Sequence, residues 1–116
     1  MDRFKFRVWD KQQKKYEDIP KLINQKGELV SYTVRDDLSK FYDIEQCTGL
    51  KDKNGKLIYE GDLIKIEDDV AEIKWSNYCA GFILESSEDI FDFETTYAEE
   101  CKVIGNIHEN ADLLEI

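Results

Sequence analysis

Short alternating runs, broken by turn-forming residues every eight to twelve positions, restrict this chain to a β architecture. Phe4, Phe6 and Val8 alternate with Lys5, Arg7 and Trp9. That period of two predicts a half-buried strand with Trp9 on its outer face or at its end. Asp10 to Lys15 reads as a polar turn, and Tyr16 to Ile19 as a returning strand stopped by Pro20, which cannot donate to a ladder. Gly27 marks a turn before the alternating segment Glu28 to Val34. Arg35 to Asp43 fits a helical turn or a loop equally well, and Ile44 to Thr48 reads as extended.

The sharpest local signal is Asp52-Lys53-Asn54-Gly55-Lys56. Asn54 and Gly55 both tolerate positive φ, as a type I′ hairpin requires. Leu57 to Tyr59 leaves this turn as a strand, and Gly61-Asp62 interrupts it. Glycine permits a tight entry there, and aspartate can accept from backbone N–H groups. Further strands are predicted at Leu63 to Glu67, Val70 to Trp75, Phe82 to Glu85, Ile90 to Phe93 and Lys102 to Ile107. Turns fall at Asp68-Asp69 and Asn77 to Gly81, and Ala71, Ile73 and Trp75 share one face. Asn110 is placed to cap a last helical turn through Leu113 and Leu114. No stripe at helical spacing has useful length. The expected fold is all-β: an SH3-type barrel over 44–116, ending in a short helical turn, with a β-rich N-terminal arm or subdomain over 1–43.

The 116 residues, 41% of them hydrophobic, suffice for one core without staples. No run approaches the roughly 20 apolar residues needed to span a bilayer. No apolar leader is visible at the start, so the expected location is the bacterial cytoplasm. Cys47, Cys79 and Cys101 form no CxxC, which excludes a zinc ribbon and leaves buried free thiols as the expectation.

Charge is segregated along the chain. The net charge is −10, yet residues 1–26 carry +4 and residues 27–116 carry −14. No Lys or Arg lies between Lys74 and Lys102, a stretch crowded with Glu85, Glu88, Asp89, Asp92, Glu94, Glu99 and Glu100. Acidity of this size repels nucleic acid and anionic membrane. A basic head and an acidic tail attract each other within one chain or between copies. The basic 1–26 segment, with Phe4, Phe6, Trp9 and Tyr16 interleaved, is the one stretch with the chemistry for nucleic acid.

Candidate chemistry is sparse. His108 is the single histidine, so any Ser–His or Cys–His mechanism would need it; a surface or capping role is expected instead. Asp52-Lys53-Asn54-Gly55 starts like a calcium loop but lacks the bidentate Glu at the end. Glu60 and Asp62 flank a glycine and suit a turn better than acid–base work. The acids 88, 89, 92 and 94 lack a metal-ligand spacing, and no Gly-rich phosphate cradle exists. No catalytic residue, metal or cofactor is assigned.

Three segments carry a family resemblance: Lys5-Phe6-Arg7-Val8-Trp9-Asp10, the long stretch from Thr48-Gly49-Leu50 through Tyr59-Glu60-Gly61-Asp62-Leu63-Ile64, and Val103-Ile104-Gly105-Asn106-Ile107-His108-Glu109-Asn110. In this order, over essentially the whole chain, they resemble the YopX-like family of phage and prophage proteins. The resemblance implies a phage or prophage origin and an SH3-type barrel in the C-terminal part, and it implies no activity. Cys47, where an aromatic is usual, and Ala111, where Pro often stands, depart from the family pattern.

The expected function is therefore non-enzymatic: a homo-oligomeric protein-interaction module whose partner is a second copy or a host or phage protein. The residues singled out for contact are Arg3, Lys5, Arg7, Trp9, Trp75, Glu88, Asp89 and Asp92, with Asn54, Gly55, Gly61 and Asp62 as structural turns. The alternative is an acidic decoy that imitates DNA and occupies a host DNA-binding protein. A further alternative is nucleic-acid binding through residues 1–26.

Overall fold

The computed structural model of the chain describes residues 5–17, 41–87 and 89–114. Among the described residues nine strands form two antiparallel sheets. The first has the order β2-β1-β3-β4, built from β1 (Phe6–Asp10), β2 (Lys15–Glu17), β3 (Tyr42–Lys51) and β4 (Leu57–Tyr59). The second has the order β8-β7-β6-β5-β9, built from β5 (Asp62–Ile66), β6 (Asp69–Ser76), β7 (Gly81–Glu85), β8 (Ile90–Asp92) and β9 (Lys102–Asn106). The all-β expectation holds. The second sheet curls as a half-barrel, and β8 and β9 stand at its edges, unpaired with each other among the described residues. The predicted strand at Glu28 to Val34 and the Gly27 turn lie outside the described residues, and the 43/44 boundary drawn from sequence falls inside β3.

The first hairpin follows the predicted pattern: Trp9 faces Tyr16 across the β1–β2 ladder. Asp10 closes its turn by accepting from the N–H groups of Gln12 and Gln13. The placement of Trp9 differs from expectation. β1 lies between two strands, and Val8, Trp9 and Asp10 are all buried, Trp9 to 5% exposure. Alternation therefore fails there, because both faces of β1 are covered.

The Asn54-Gly55 turn also differs. Gly55 sits at φ +83°, but Asn54 does not reach positive φ. Gly55 N–H donates to the Asp52 carbonyl, and Asp52 N–H to the Lys56 carbonyl. This is a type I turn followed by a left-handed glycine, the three-residue hairpin loop. The organiser is Asp52. Its carboxylate, 6% exposed, accepts from the N–H groups of Asn54, Lys56 and, 51 residues away, Val103, each at 2.9 Å. Burial opposes its charge, but those three N–H groups outweigh it and hold the carboxyl below the usual range. An Asp52→Ala variant is expected to lose about 2 kcal/mol, because the buried Val103 N–H keeps no partner. Since the folded pKa is the lower one, this contribution is present above about pH 4 and fades as pH falls through the folded value. Urea unfolding of both proteins across that range measures it.

β3 and β4 shift register between Cys47 and Lys51, where Gly49 takes φ +83° and the Thr48 hydroxyl donates to the Ile58 carbonyl. The Thr-Gly-Leu run is thus a bulge that bends β3. The main core gathers Ile58, Ile64, Ile73, Leu84, Ala98, Cys101 and Val103. Two of these, Ala98 and Cys101, together with the flanking Tyr97, come from a helix, α1 (Thr95–Glu100), and the residue after it; the sequence reading foresaw no helix there. Six residues cannot hold a helix alone, so packing against the sheet makes it. A 3₁₀ turn at Ala111–Leu114 ends the described chain. The Asn110 side chain does not cap it; it accepts from Asn106 N–H, and the Asn110 carbonyl accepts from Leu113. Cys47 and Cys101 are buried free thiols as expected, and burial pushes the Cys101 thiol up to about 11, whereas Cys79 is exposed on the β6–β7 loop.

Candidate functional site: a buried charge cluster between the sheets

The two sheets meet at a polar cluster. Arg7 reaches it from β1, Tyr16 from β2, Glu45 from β3, Tyr59 from β4, Asp62 from β5, and His108 from the turn after β9. Arg7 Nε donates to Glu45 Oε1 at 2.8 Å, and its Nη2 meets Asp62 Oδ1 at 2.8 Å and the Glu60 carbonyl at 3.2 Å. The guanidinium lies over the rings of Tyr16 and Tyr59, 4.4 and 4.8 Å from their centroids. A planar, weakly hydrated cation suits such a slot, and an ammonium would not. Tyr16 hydroxyl donates to Glu45 Oε1, and His108 Nε2 lies 2.7 Å from Glu45 Oε2. The His108 ring lies flat on Trp9, with centroids 4.5 Å apart and planes 5° apart.

Burial sets the electrostatics. It pushes the carboxyl of Asp62 up, opposed by Arg7 and by the Tyr59 N–H that Asp62 accepts. It also raises Glu60 and Glu72. It opposes the charge on Arg7, but Asp62 and Glu45 prevail and raise that pKa. Burial raises the Tyr16 and Tyr59 hydroxyls as well. Gly61, at φ +87°, has no Cβ because the Glu45 carboxylate occupies that space; its N–H donates to the Ile73 carbonyl and its carbonyl accepts from Ile107.

Chemically, a His–carboxylate pair can move a proton. Here both oxygens of Glu45 are already engaged, one by Arg7 and Tyr16, the other by His108, and the imidazole is clamped by Trp9. Among the described residues every buried side-chain nitrogen or oxygen has a partner. The arrangement is that of a brace. Among those residues no three His, Cys, Asp or Glu side chains gather as a metal would require, and no helix is long and apolar enough to cross a membrane.

The sequence-singled residues scatter. Arg7 and Trp9 belong to the interior cluster and not to an outer face. Lys5 is exposed just before β1, while Arg3 and Glu88 lie outside the described residues. Trp75 is 44% exposed, edge-on to Phe82, with its Nε1 donating to Asn77. Asp89 closes the turn before β8 through Ser86, and Asp92 is exposed on that strand. Asp62 acts in the turn as expected and anchors Arg7 besides. Sequence reasoning passed over Glu45 and Tyr59 as site residues, placed Tyr16 only in the basic nucleic-acid stretch, and gave His108 a surface or capping role, although its side chain is largely buried. The partners lie 38 and 63 residues apart, so no local spacing betrays them.

The YopX protein family model matches residues 5–115. Two solved structures resemble this one. Protein EF1440 from Enterococcus faecalis aligns with TM-score 0.66 and 29% identity over 95% of this chain and 96% of its own. Protein YopX from Bacillus subtilis aligns with TM-score 0.57 and 26% identity over 94% of this chain and 96% of its own. No curated protein matches the chain. Matched by the family model over nearly its whole length, the chain belongs to the YopX protein family.

Proposed function

We propose that the protein is a non-enzymatic interaction module of phage or prophage origin that assembles head to tail with copies of itself. The observation that carries this reading is where the fold leaves exposed charge. Every residue of the β1–β2 turn from Lys11 to Lys15 is exposed, with Lys14 at φ +55°. The C-terminal sheet presents exposed Asp68, Asp69, Asp89 and Asp92, together with exposed Trp75, Tyr78, Ile90 and Phe91. Basic turn and acidic, apolar-studded sheet are complementary between copies, and a heterologous contact of this kind closes into a ring where the rotation permits. Arg7 serves the interior, so the turn lysines supply the basic side.

A Lys14→Glu/Lys15→Glu variant is expected to fall to the 13.7 kDa monomer mass at moderate salt, where the parent chain has a multiple of it. Light scattering coupled to size exclusion measures this. A monomeric parent, or a variant of unchanged mass, defeats the reading.

The Lys- and Arg-free stretch 75–101 favours a second reading, an acidic decoy for a host DNA-binding protein. Capture of one such protein from nuclease-treated host lysate, lost between about 50 and 200 mM salt, would support it.

A further inference from the structure

We infer that the cavity at the open end of the C-terminal sheet is a binding site for a small organic ammonium, a single cationic group on a compact apolar body. The inference does not depend on self-assembly. The cavity measures about 450 Å³, within the range of small-molecule pockets. A dry apolar void of about 150 Å³ takes one benzene ring. One ring with an alkyl arm therefore fits here, with room for water around its charge.

The strand registers show what the cavity face carries. Ile64 pairs with Ala71, Ile66 with Asp69, and Leu84 with Phe91. Residues paired across an antiparallel ladder point to one side of the sheet. Asp69, Ala71 and Ile73 lie two apart on β6, and Ile73 pairs with Leu84, so all of these share a face. Asp69 thus stands on the same side as the apolar row, at its end, and lines the cavity with Ile66 and Leu84. Asp68 and Asp89 line it from the turns before β6 and β8. No lysine or arginine lines it, and among the described residues none of these three carboxylates has an ion-pair partner.

This juxtaposition of apolar wall and carboxylate on one face selects the occupant. Apolar walls disfavour a purely polar cation, and the carboxylates disfavour an anion. Among the described residues no three acids gather as a metal ion requires. Phe91 and Tyr97, with ring centroids 6.5 Å apart, add two π faces that attract a cation. A body laid against Ile66, Leu84 and Phe91, with its ammonium on Asp69, satisfies each wall at once.

The test titrates phenylbutylammonium into the full chain, with amide NMR shifts reporting where it binds. The controls are phenylbutanoate, which reverses the charge, phenylbutanol, which removes it, and propylammonium, which lacks the ring. The ammonium is expected to bind about tenfold tighter than phenylbutanoate or propylammonium and about fivefold tighter than phenylbutanol, with shifts centred on Ala71, Ser87 and Tyr97. Asp69→Asn should weaken it about threefold. Asp92→Asn removes the same charge from the opposite face, where Asp92 pairs with Ile83, and should leave binding unchanged. Equal losses in the two variants, equal binding of any control, shifts located elsewhere, or no binding each overturn the inference.

Discussion

An Arg7→Met variant is expected to lose about 3–5 kcal/mol of stability at neutral pH, a large share of the 5–15 kcal/mol typical of a domain. The loss comes less from a missing attraction than from what is left behind. Glu45 and Asp62 are 5% and 1% exposed, and the guanidinium is the permanent cation beside both. Removing it leaves two carboxylates out of water, with His108 and the Tyr16 hydroxyl beside Glu45 and the Tyr59 N–H on Asp62. The sign of the pH dependence follows. Burial already raises the Asp62 carboxyl while Arg7 opposes it, so without Arg7 the folded pKa climbs further above the unfolded value of about 3.9. A raised acid favours the fold below its unfolded pKa, and the advantage is lost as pH rises through the folded value. The variant's deficit must therefore shrink in acid. Urea midpoints of parent and variant near pH 7 and near pH 4 test this. A deficit under about 1 kcal/mol, or one indifferent to pH, would mean that the cluster behaves as a solvated surface pair. The Arg7→Lys variant should recover only part of the loss, since an ammonium cannot span Glu45, Asp62 and the Glu60 carbonyl in one plane.

Gly61→Ala is the second large effect, at about 3–4 kcal/mol, and it strikes the same cluster from the backbone. The residue sits at φ +87°, and an added Cβ would run into the Glu45 carboxylate. That carboxylate cannot swing away without releasing Arg7, Tyr16 and His108 together. Gly55 provides the control: its φ is +83°, but a Cβ there meets nothing within 4 Å. Gly55→Ala should cost only the conformational part, about 1–2 kcal/mol. The excess in Gly61→Ala isolates the steric collision. Chemical denaturation of the two variants gives it directly, and equal losses would show that Glu45 yields freely.

Together these residues explain why the two sheets are held as one body. The Gly-Asp step between β4 and β5 places Asp62 under Arg7, while Gly61 carries backbone bonds to Ile73 and Ile107. A fully satisfied polar network in low dielectric is rigid, and removal of any member strands the others. The exposed basic turn and acidic sheet lie outside it.

Much of this was legible one segment at a time. The strand period, the turn residues and the Gly-Asp break located the strands of the C-terminal sheet because each is a local preference of backbone and side chain. Hairpin β1–β2 followed from the polar Asp10–Lys15 interval for the same reason. Asn54-Gly55 marked the right turn but the wrong type, since the Asp52 carboxylate, bridging to Val103, selects the conformation from a distance. The six-residue helix at Thr95–Glu100 was illegible because only the core beneath Ala98 and Cys101 stabilises it. Trp9 alternated outward on paper and is buried in fact, because His108 covers its outer side. Local propensity thus determined which segments are strands and where they turn. Tertiary structure alone decided that Arg7, Glu45, Asp62 and His108 share one site, because burying a charge requires partners, and those partners are brought by strands that sequence distance keeps apart.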